Sequence, residues 1–276
     1  MPVRLGYIDY LNCLPVYLAL ERGAVDLPLE LVRGVPTQAN AAFLAGEVDI
    51  TPISSIEYAR HPEECLILPD LSISADGEVG SILLFSRVPP GELDGRRICL
   101  PSSSATSVVL LKILLHDLYR VQVSFRTRAP DLAAMLAEAD AALLIGDDAL
   151  VAAGRERDLV VTDLGRAWKE LTGQVMVYAL WVVRRRLAQV RPDLVGQVAR
   201  AFRVAKEWGF AHPEELVAEG SRRRDLPPEI LSWYFGLIRH EFGPAYRAGL
   251  TEYYRRAAAL GLLERVPPLA LWGQAA

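Results

Sequence analysis

Four stretches of this chain share one arrangement of hydrophobic and polar positions. Each has an apolar run of strand length, a short loop of small polar residues, and a helix-period run that opens where the loop ends. They are VRLGYIDYLNCLPVYLAL from Val3, VDITPISSIEYAR from Val48, RICLPSSSATSVVLLKILL from Arg97 and ADAALLIGDDALVAAG from Ala139. In α/β folds such strand ends meet at one crevice, so the pattern predicts that Asn12, Ser54, Ser55, Thr106, Ser107 and Asp147 converge although they are far apart in sequence.

The remaining pattern fills in two lobes. From Val3 to Ser86 it reads strand, helix, strand, helix, strand, then a short helix from Ser55 and a strand pair through CLILPDLSIS and GSILLFS. The helix PTQANAAFLAG opens at Pro36 and stops at Gly46, a proline-start, glycine-stop signature. After the turn-rich VPPGELDG a second set begins. It contains RRICLP, a helix from about Thr106 to Tyr119, VQVSFRT, a helix near Asp131 to Glu138, AALLIG, a short helix from Asp147, LVVTDLG and a helix around Arg166 to Leu171. MVYALWVVRRR from Met176 is a further strand, and helices follow from Pro192, Pro213, Pro228 and Pro244. The expected fold is α/β with two lobes of mixed sheet flanked by helices and a helical C-terminal segment. Residues 1–88 plus 178–276 would form a discontinuous first lobe, and residues 89–177 the second, with a ligand cleft between them.

Composition narrows the partners. A chain of 276 residues, 51% hydrophobic, can bury enough surface for two cores. The net charge of -4 leaves no electrostatic footprint for nucleic acid, and the clusters Arg184-Arg185-Arg186 and Arg222-Arg223-Arg224 read as solvated helix faces. The odd set Cys13, Cys65 and Cys99 has no CxxC or zinc-ligand spacing, which predicts neither a disulfide framework nor a metal site and fits a reducing compartment. MPVRLGYIDY reaches a strand pattern at once without a signal-like region, and no apolar stretch has membrane-spanning length. A cytoplasmic location away from membranes is the expectation.

The loops carry the candidate chemistry. Ser102-Ser103-Ser104-Ala105-Thr106-Ser107 offers five hydroxyls and free backbone N–H groups at a helix N-terminus, where the macrodipole favours negative charge. An N-cap needs only one hydroxyl, so Ser103, Thr106 and Ser107 are read as a site that holds a carboxylate or phosphate without lysine or arginine. Ser54 and Ser55 allow both a binding role and simple capping. Ser81, between Gly80 and ILLF, would line the crevice or merely end a strand. The Asn12 amide can both donate and accept to a ligand or shape a turn. Gly146 and Asp147 either cap the following helix or place an acid–base group in the cleft.

Familiar motifs are missing: GxGxxG after a strand, GxxxxGK[ST], HExxH and GxSxG do not occur. His61, His116, His212 and His240 lie outside the strand-end loops, as do Lys112, Lys169 and Lys206.

LAGEVDITPISSIEYA resembles an early segment of type II periplasmic binding proteins, and the resemblance narrows further. GYIDYLNCLPVY, GEVDITPISSIEY, GSILLFS, PSSSATSVVLLKILL, ADAALLIGDDAL, and DLGRAWKELTG followed by VYALW together resemble, in order, the chorismate dehydratases of the futalosine route to menaquinone. The resemblance implies a cofactor-independent lyase that converts the dianion chorismate to 3-[(1-carboxyvinyl)oxy]benzoate and water. By the same resemblance Asn12 matches an essential active-site asparagine, Ser81 a substrate-facing serine, and Thr106 with Ser107 a carboxylate-binding loop. Two bases are open: the substrate's own enolpyruvyl carboxylate held near Asn12, or Asp147. The 1,4-dihydroxy-6-naphthoate synthase of the same route resembles the chain less well, since it places a histidine where Ile145-Gly146-Asp147 stands. A solute-binding protein for an organic anion would use the same cleft without turnover.

Overall fold

The computed structural model describes residues 3–27 and 29–274. Its first sheet has the order β2-β1-β3-β10-β4, built from β1 (Val3–Ile8), β2 (Leu29–Gly34), β3 (Ile50–Ser54), β4 (Cys65–Ala75) and β10 (Met176–Arg184). The first three strands run parallel, and β10 lies antiparallel between β3 and β4. The second sheet has the order β7-β6-β8-β5-β9, from β5 (Ile82–Ser86), β6 (Arg97–Pro101), β7 (Ser124–Arg128), β8 (Ala141–Ile145) and β9 (Val160–Asp163). Here β6 is parallel to β7 and β8, while β5 is antiparallel to β8 and β9. Every residue of β3, β5 and β8 is buried, as expected of strands covered on both faces. The wholly exposed β7, SFRTR, carries charge at a sheet edge, which discourages pairing with another chain.

Helices cover these sheets. In the first half they are α1 (Leu14–Glu21), α2 (Pro36–Leu44), α3 (Ser55–Arg60) and α4 (Thr106–Leu114), the last continuing into a π turn over Leu115–Tyr119. Next come α5 (Leu132–Leu136), α6 (Gly146–Arg155) and α7 (Leu164–Thr172). The C-terminal set is α8 (Arg185–Val190), α9 (Pro192–Ala211), α10 (Pro213–Arg223), α11 (Pro228–Leu237) and α12 (Pro244–Ala259), and α9 to α12 each begin on the proline that marked them in the sequence. One apolar core runs from β1, β3, β4 and β10 through α4 and α7 to β6 and β8. A smaller one, around Phe85, Met135 and Leu144, lies under α5 and α6 on the far face of the second sheet. Among the described residues no helix is long and apolar enough to cross a membrane.

The crossing between sheets corrects the expected boundary. CLILPDLSIS and GSILLFS do not pair: β4 ends against β10 in the first sheet, and β5 enters the second between β8 and β9. The chain therefore passes from the first sheet to the second between Ala75 and Ile82, ahead of the expected boundary at 88, and is back in the first sheet at Met176, close to the expected 178. Asp163 is the physical reason. Its carboxylate accepts from Gly80 N–H (2.7 Å), Val79 N–H (3.1 Å) and Arg166 N–H (2.9 Å), which pins the crossing to the start of α7. Glu78 and Asp76 add ion pairs to Arg166 and Lys169, both at 2.6 Å. Gly80 turns with φ +71° against the Trp233 ring, a conformation and a contact that a side chain would disturb.

The arginine clusters also depart from the expectation of solvated faces. Arg186 and Arg222 are exposed, but Arg184 packs over the Phe43 ring and Arg185 donates to carbonyls of Pro62, Glu63 and Cys65. Arg223 is drawn inward by Glu219, Asp9 and Glu21, and Arg224 by Asp147. Acidic partners on other elements decide this, and a single helix pattern does not show them.

Candidate functional site

β1 delivers the chain into a tight 3-10 turn, Leu11–Cys13, which runs straight into α1 with Pro15 in its first turn. Asn12 occupies the middle of that turn. Its carbonyl oxygen lies 2.7 Å from Nε2 of the fully buried His240. A carbonyl only accepts, so Nε2 carries the proton and Nδ1 keeps a lone pair that has no partner. Burial lowers His240 to about 4, with the bond to Asn12 pulling the other way, so the imidazole is neutral near pH 7. The side-chain Oδ1 of Asn12 is likewise buried without a partner.

Across the cleft, β6 ends at Pro101 and the serine loop leads into α4, whose opening turn presents N–H groups that no intrahelical carbonyl reaches. Ser104, Thr106 and Ser107 face the cleft there. Thr106 also meets α3, its Oγ1 lying 3.3 Å from both Ser55 Oγ and Ile56 N. Ser54, at the end of β3, is clamped by Asn40 of α2: Asn40 Nδ2 donates to Ser54 Oγ and Asn40 Oδ1 accepts from Ser54 N, both at 3.1 Å. The Ser54 hydroxyl keeps its own proton for a further acceptor.

Ser81 comes directly after the lobe crossing. The buried Tyr234 of α11 donates to its Oγ at 3.0 Å, and its carbonyl accepts from Gly146 N–H at 2.7 Å. Gly146 opens α6 at φ +61°, and a Cβ there would lie 2.9 Å from the Tyr10 ring. Position 146 thus closes on position 10 across the cleft.

Asn12, Ser54, Ser81, Thr106, Ser107 and Gly146 line one cavity together with Tyr10, Cys13, Ser104 and Tyr178. Among the described residues no Asp, Glu, Lys, Arg or His lines it. Its ionisable groups are held neutral. Burial pushes Tyr10 up to about 12, with Asp148 and Asp147 adding to the rise, and it raises Tyr178 and Cys13 well above their ordinary values. The cavity encloses about 70 Å³. Small-molecule sites generally begin near ~300 Å³, so the cavity in this arrangement is smaller than a ring-sized ligand needs.

Three expected site residues stand behind this lining. The Ser55 hydroxyl donates to Val177 O at 2.9 Å and helps to tie α3 to β10 and α4. Ser103 is buried with no partner for its Oγ. Both Asp147 oxygens are engaged, Oδ1 by Leu11 N–H (3.1 Å) and Oδ2 by Arg224 Nε (2.6 Å), so the carboxylate braces the Asn12 turn instead of facing the cavity. Burial raises Asp147, while Leu11 and Arg224 pull it back. Sequence reasoning missed Tyr10, Tyr178, Tyr234 and His240. The two lining tyrosines adjoin the quoted motifs, in DYLN and VYALW, but aromatic residues at strand ends read first as core.

The fold has clear counterparts. A crystal structure of a protein from Archaeoglobus fulgidus superposes with TM-score 0.81 at 22% identity, covering 95% of this chain and 98% of that one. The periplasmic aliphatic sulphonate binding protein of Escherichia coli superposes with TM-score 0.70 at 15% identity over 98% and 97%. At these identities the likeness is one of fold, the two-lobed periplasmic-binding-protein plan. In sequence, a chorismate dehydratase of Thermus thermophilus is 30% identical over 278 residues, 95% of this chain and 96% of its own. The pattern of the menaquinone biosynthesis family runs from residue 3 to residue 259, through the Asn12 turn, both lobe crossings and α12. A match that takes in every element of the cavity settles the family: this chain is a member of the menaquinone biosynthesis family.

Proposed function

We propose that the protein is a cofactor-independent hydro-lyase that dehydrates chorismate to 3-[(1-carboxyvinyl)oxy]benzoate. The observation that carries this reading is the cavity itself, where Asn12, Ser54, Ser81, Thr106 and Ser107 converge with no charged side chain among the described lining residues. A dianion fits such a site. Hydroxyl and N–H donors bond more strongly to carboxylates than to neutral acceptors, and no lining carboxylate repels the ligand. The likeness to the Thermus thermophilus chorismate dehydratase supports the same substrate.

The reaction needs no oxidant or group carrier. The C–H bond at the ether-bearing ring carbon breaks, its electron pair forms the last ring double bond, and the neighbouring hydroxyl leaves as water. Aromatisation makes the step downhill. Negative charge that develops on deprotonation spreads through the adjacent double bond to the ring carboxylate, where Thr106, Ser107 and the opening N–H groups of α4 would stabilise it as it grows.

With Asp147 engaged away from the cavity, the substrate's enolpyruvyl carboxylate is the favoured base. Asn12 would hold it over the proton, and the protonated carboxyl would then deliver that proton to the departing hydroxide. Incubating the pure protein with chorismate should yield an aromatic product lighter by one water, by ultraviolet absorbance and mass spectrometry. Unchanged chorismate would reject the reading.

A further inference from the structure

Two groups outside the cavity hold the backbone on either side of Tyr10. Leu11 N–H donates to Asp147 Oδ1 at 3.1 Å, and Arg224 donates to the Asp9 carbonyl at 2.7 Å. The two are joined to each other through Arg224 Nε and Asp147 Oδ2 at 2.6 Å. Asp147 belongs to α6 in the second lobe, whereas Leu11 and Arg224 belong to the first, so this bridge exists only while the lobes are together.

Its components are placed firmly. The Asp147 side chain is 6% exposed. Arg223, one residue earlier, is tied to Glu219 at 2.8 Å and to Asp9 at 2.9 Å, and its carbonyl accepts from Arg224 at 2.9 Å. A buried carboxylate between two donors is a directional contact that is costly to leave unmade. Asn12 is the next residue after Leu11, so whatever fixes the Leu11 amide fixes the asparagine.

We propose that Asp147 and Arg224 are positioning residues for the dehydration: lobe closure docks the Asp147 carboxylate between Leu11 N–H and Arg224, and this bridge sets Asn12 in its reactive pose. The proposal rests on the chorismate reading above. It assigns Asp147 no proton transfer. Its contribution is geometric, and misplacing a reacting group by even ~1 Å can cost on the order of a hundredfold in rate.

The test compares Asp147→Asn, which keeps the shape and removes the charge, Arg224→Gln, which removes the guanidinium that spans Asp147 and the Asp9 carbonyl, and the double variant. Each single change should lower kcat about tenfold, leave KM within about threefold, and scale the pH–rate profile without changing its shape. The double variant should be about as slow as the slower single one, because both changes break one bridge. Multiplicative losses, unchanged kcat in the singles, or loss of a limb of the pH profile in Asp147→Asn alone would each overturn the proposal.

Amide hydrogen exchange supplies a readout that needs no substrate. The Leu11 amide should exchange at least about tenfold faster in Asp147→Ala than in wild type, and equal protection would overturn the bridge. A wild-type protein that exchanges as expected but never consumes chorismate would sink the dehydration reading alone.

Discussion

The Asn12 carbonyl and Nε2 of the buried His240, 228 residues apart in sequence, form a 2.7 Å hydrogen bond that ties the first strand-end turn to the segment after α11. Burial takes His240 from 6.5 to about 4, and this shift has a sign. The unfolded chain binds the proton near 6.5, but the folded one only near 4. Stability tied to His240 is therefore whole above pH ~6.5 and falls as the pH drops toward ~4, by about 3 kcal/mol in total. Denaturant unfolding between pH 7 and 4.5 should show this slope. His240→Gln, which retains an N–H donor but cannot titrate, should flatten it, and an equal slope in the variant would contradict the assignment.

Asn12→Ala removes an amide whose oxygen has no protein partner. Its effect on stability should be small, within about 1 kcal/mol by thermal melting. Turnover of chorismate should fall at least about a hundredfold, since the group proposed to orient the base is gone. Asn12→Asp is a sharper probe. It preserves the shape but adds a negative charge facing a dianion, so KM should rise steeply, and more at low salt than at high.

Gly146→Ala strains the molecule twice. Its φ of +61° disfavours any side chain, by about 1–2 kcal/mol, and the new Cβ would press on the Tyr10 ring from 2.9 Å. The contact is across the cleft, so lobe closure should suffer more than folding does. We expect a raised KM and a lowered kcat with a thermal midpoint only a few degrees below wild type. Loss of the folded state with no separate kinetic effect would show that the glycine serves folding alone.

How far the sequence disclosed this site depends on the range over which each residue is determined. Asn12, Thr106 and Gly146 follow a local rule, a small residue in the loop after an apolar strand run, and Ser81 stands just before such a run; the structure brings all four together. The same rule picks Ser55, whose hydroxyl is spent on Val177 O, because capping and binding use the same residue types at the same place. The place of β5 in the second sheet, inside the boundary expected at 88, was hidden for a different reason. β5, ILLFS, is apolar up to its last residue and wholly buried, so it would suit either sheet, and the turn leading into it is held by Asp163, a residue 83 positions beyond Gly80. His240 and Arg224 were invisible for the same reason: their partners, Asn12 and Asp147, come from strand ends far earlier in the chain.

Asp163 offers the most direct test of the crossing. Its two oxygens serve three backbone donors, Oδ2 taking Gly80 N–H at 2.7 Å and Oδ1 taking Arg166 N–H at 2.9 Å, with Val79 N–H shared between them. Burial raises this carboxyl, and these N–H groups draw it back. Asp163→Ala leaves buried donors without an acceptor, a loss of about 3 kcal/mol that should lower the thermal midpoint by roughly 6 °C or more. Asp163→Asn has nearly the same shape, yet it must turn its NH₂ toward either Gly80 N–H or Arg166 N–H, where two donors then face each other. The isosteric variant should therefore lose about half as much as alanine does. An Asp163→Asn protein as stable as wild type would mean that the crossing is held by the Arg166–Glu78 and Lys169–Asp76 pairs instead, and removing those pairs should then do what removing Asp163 did not.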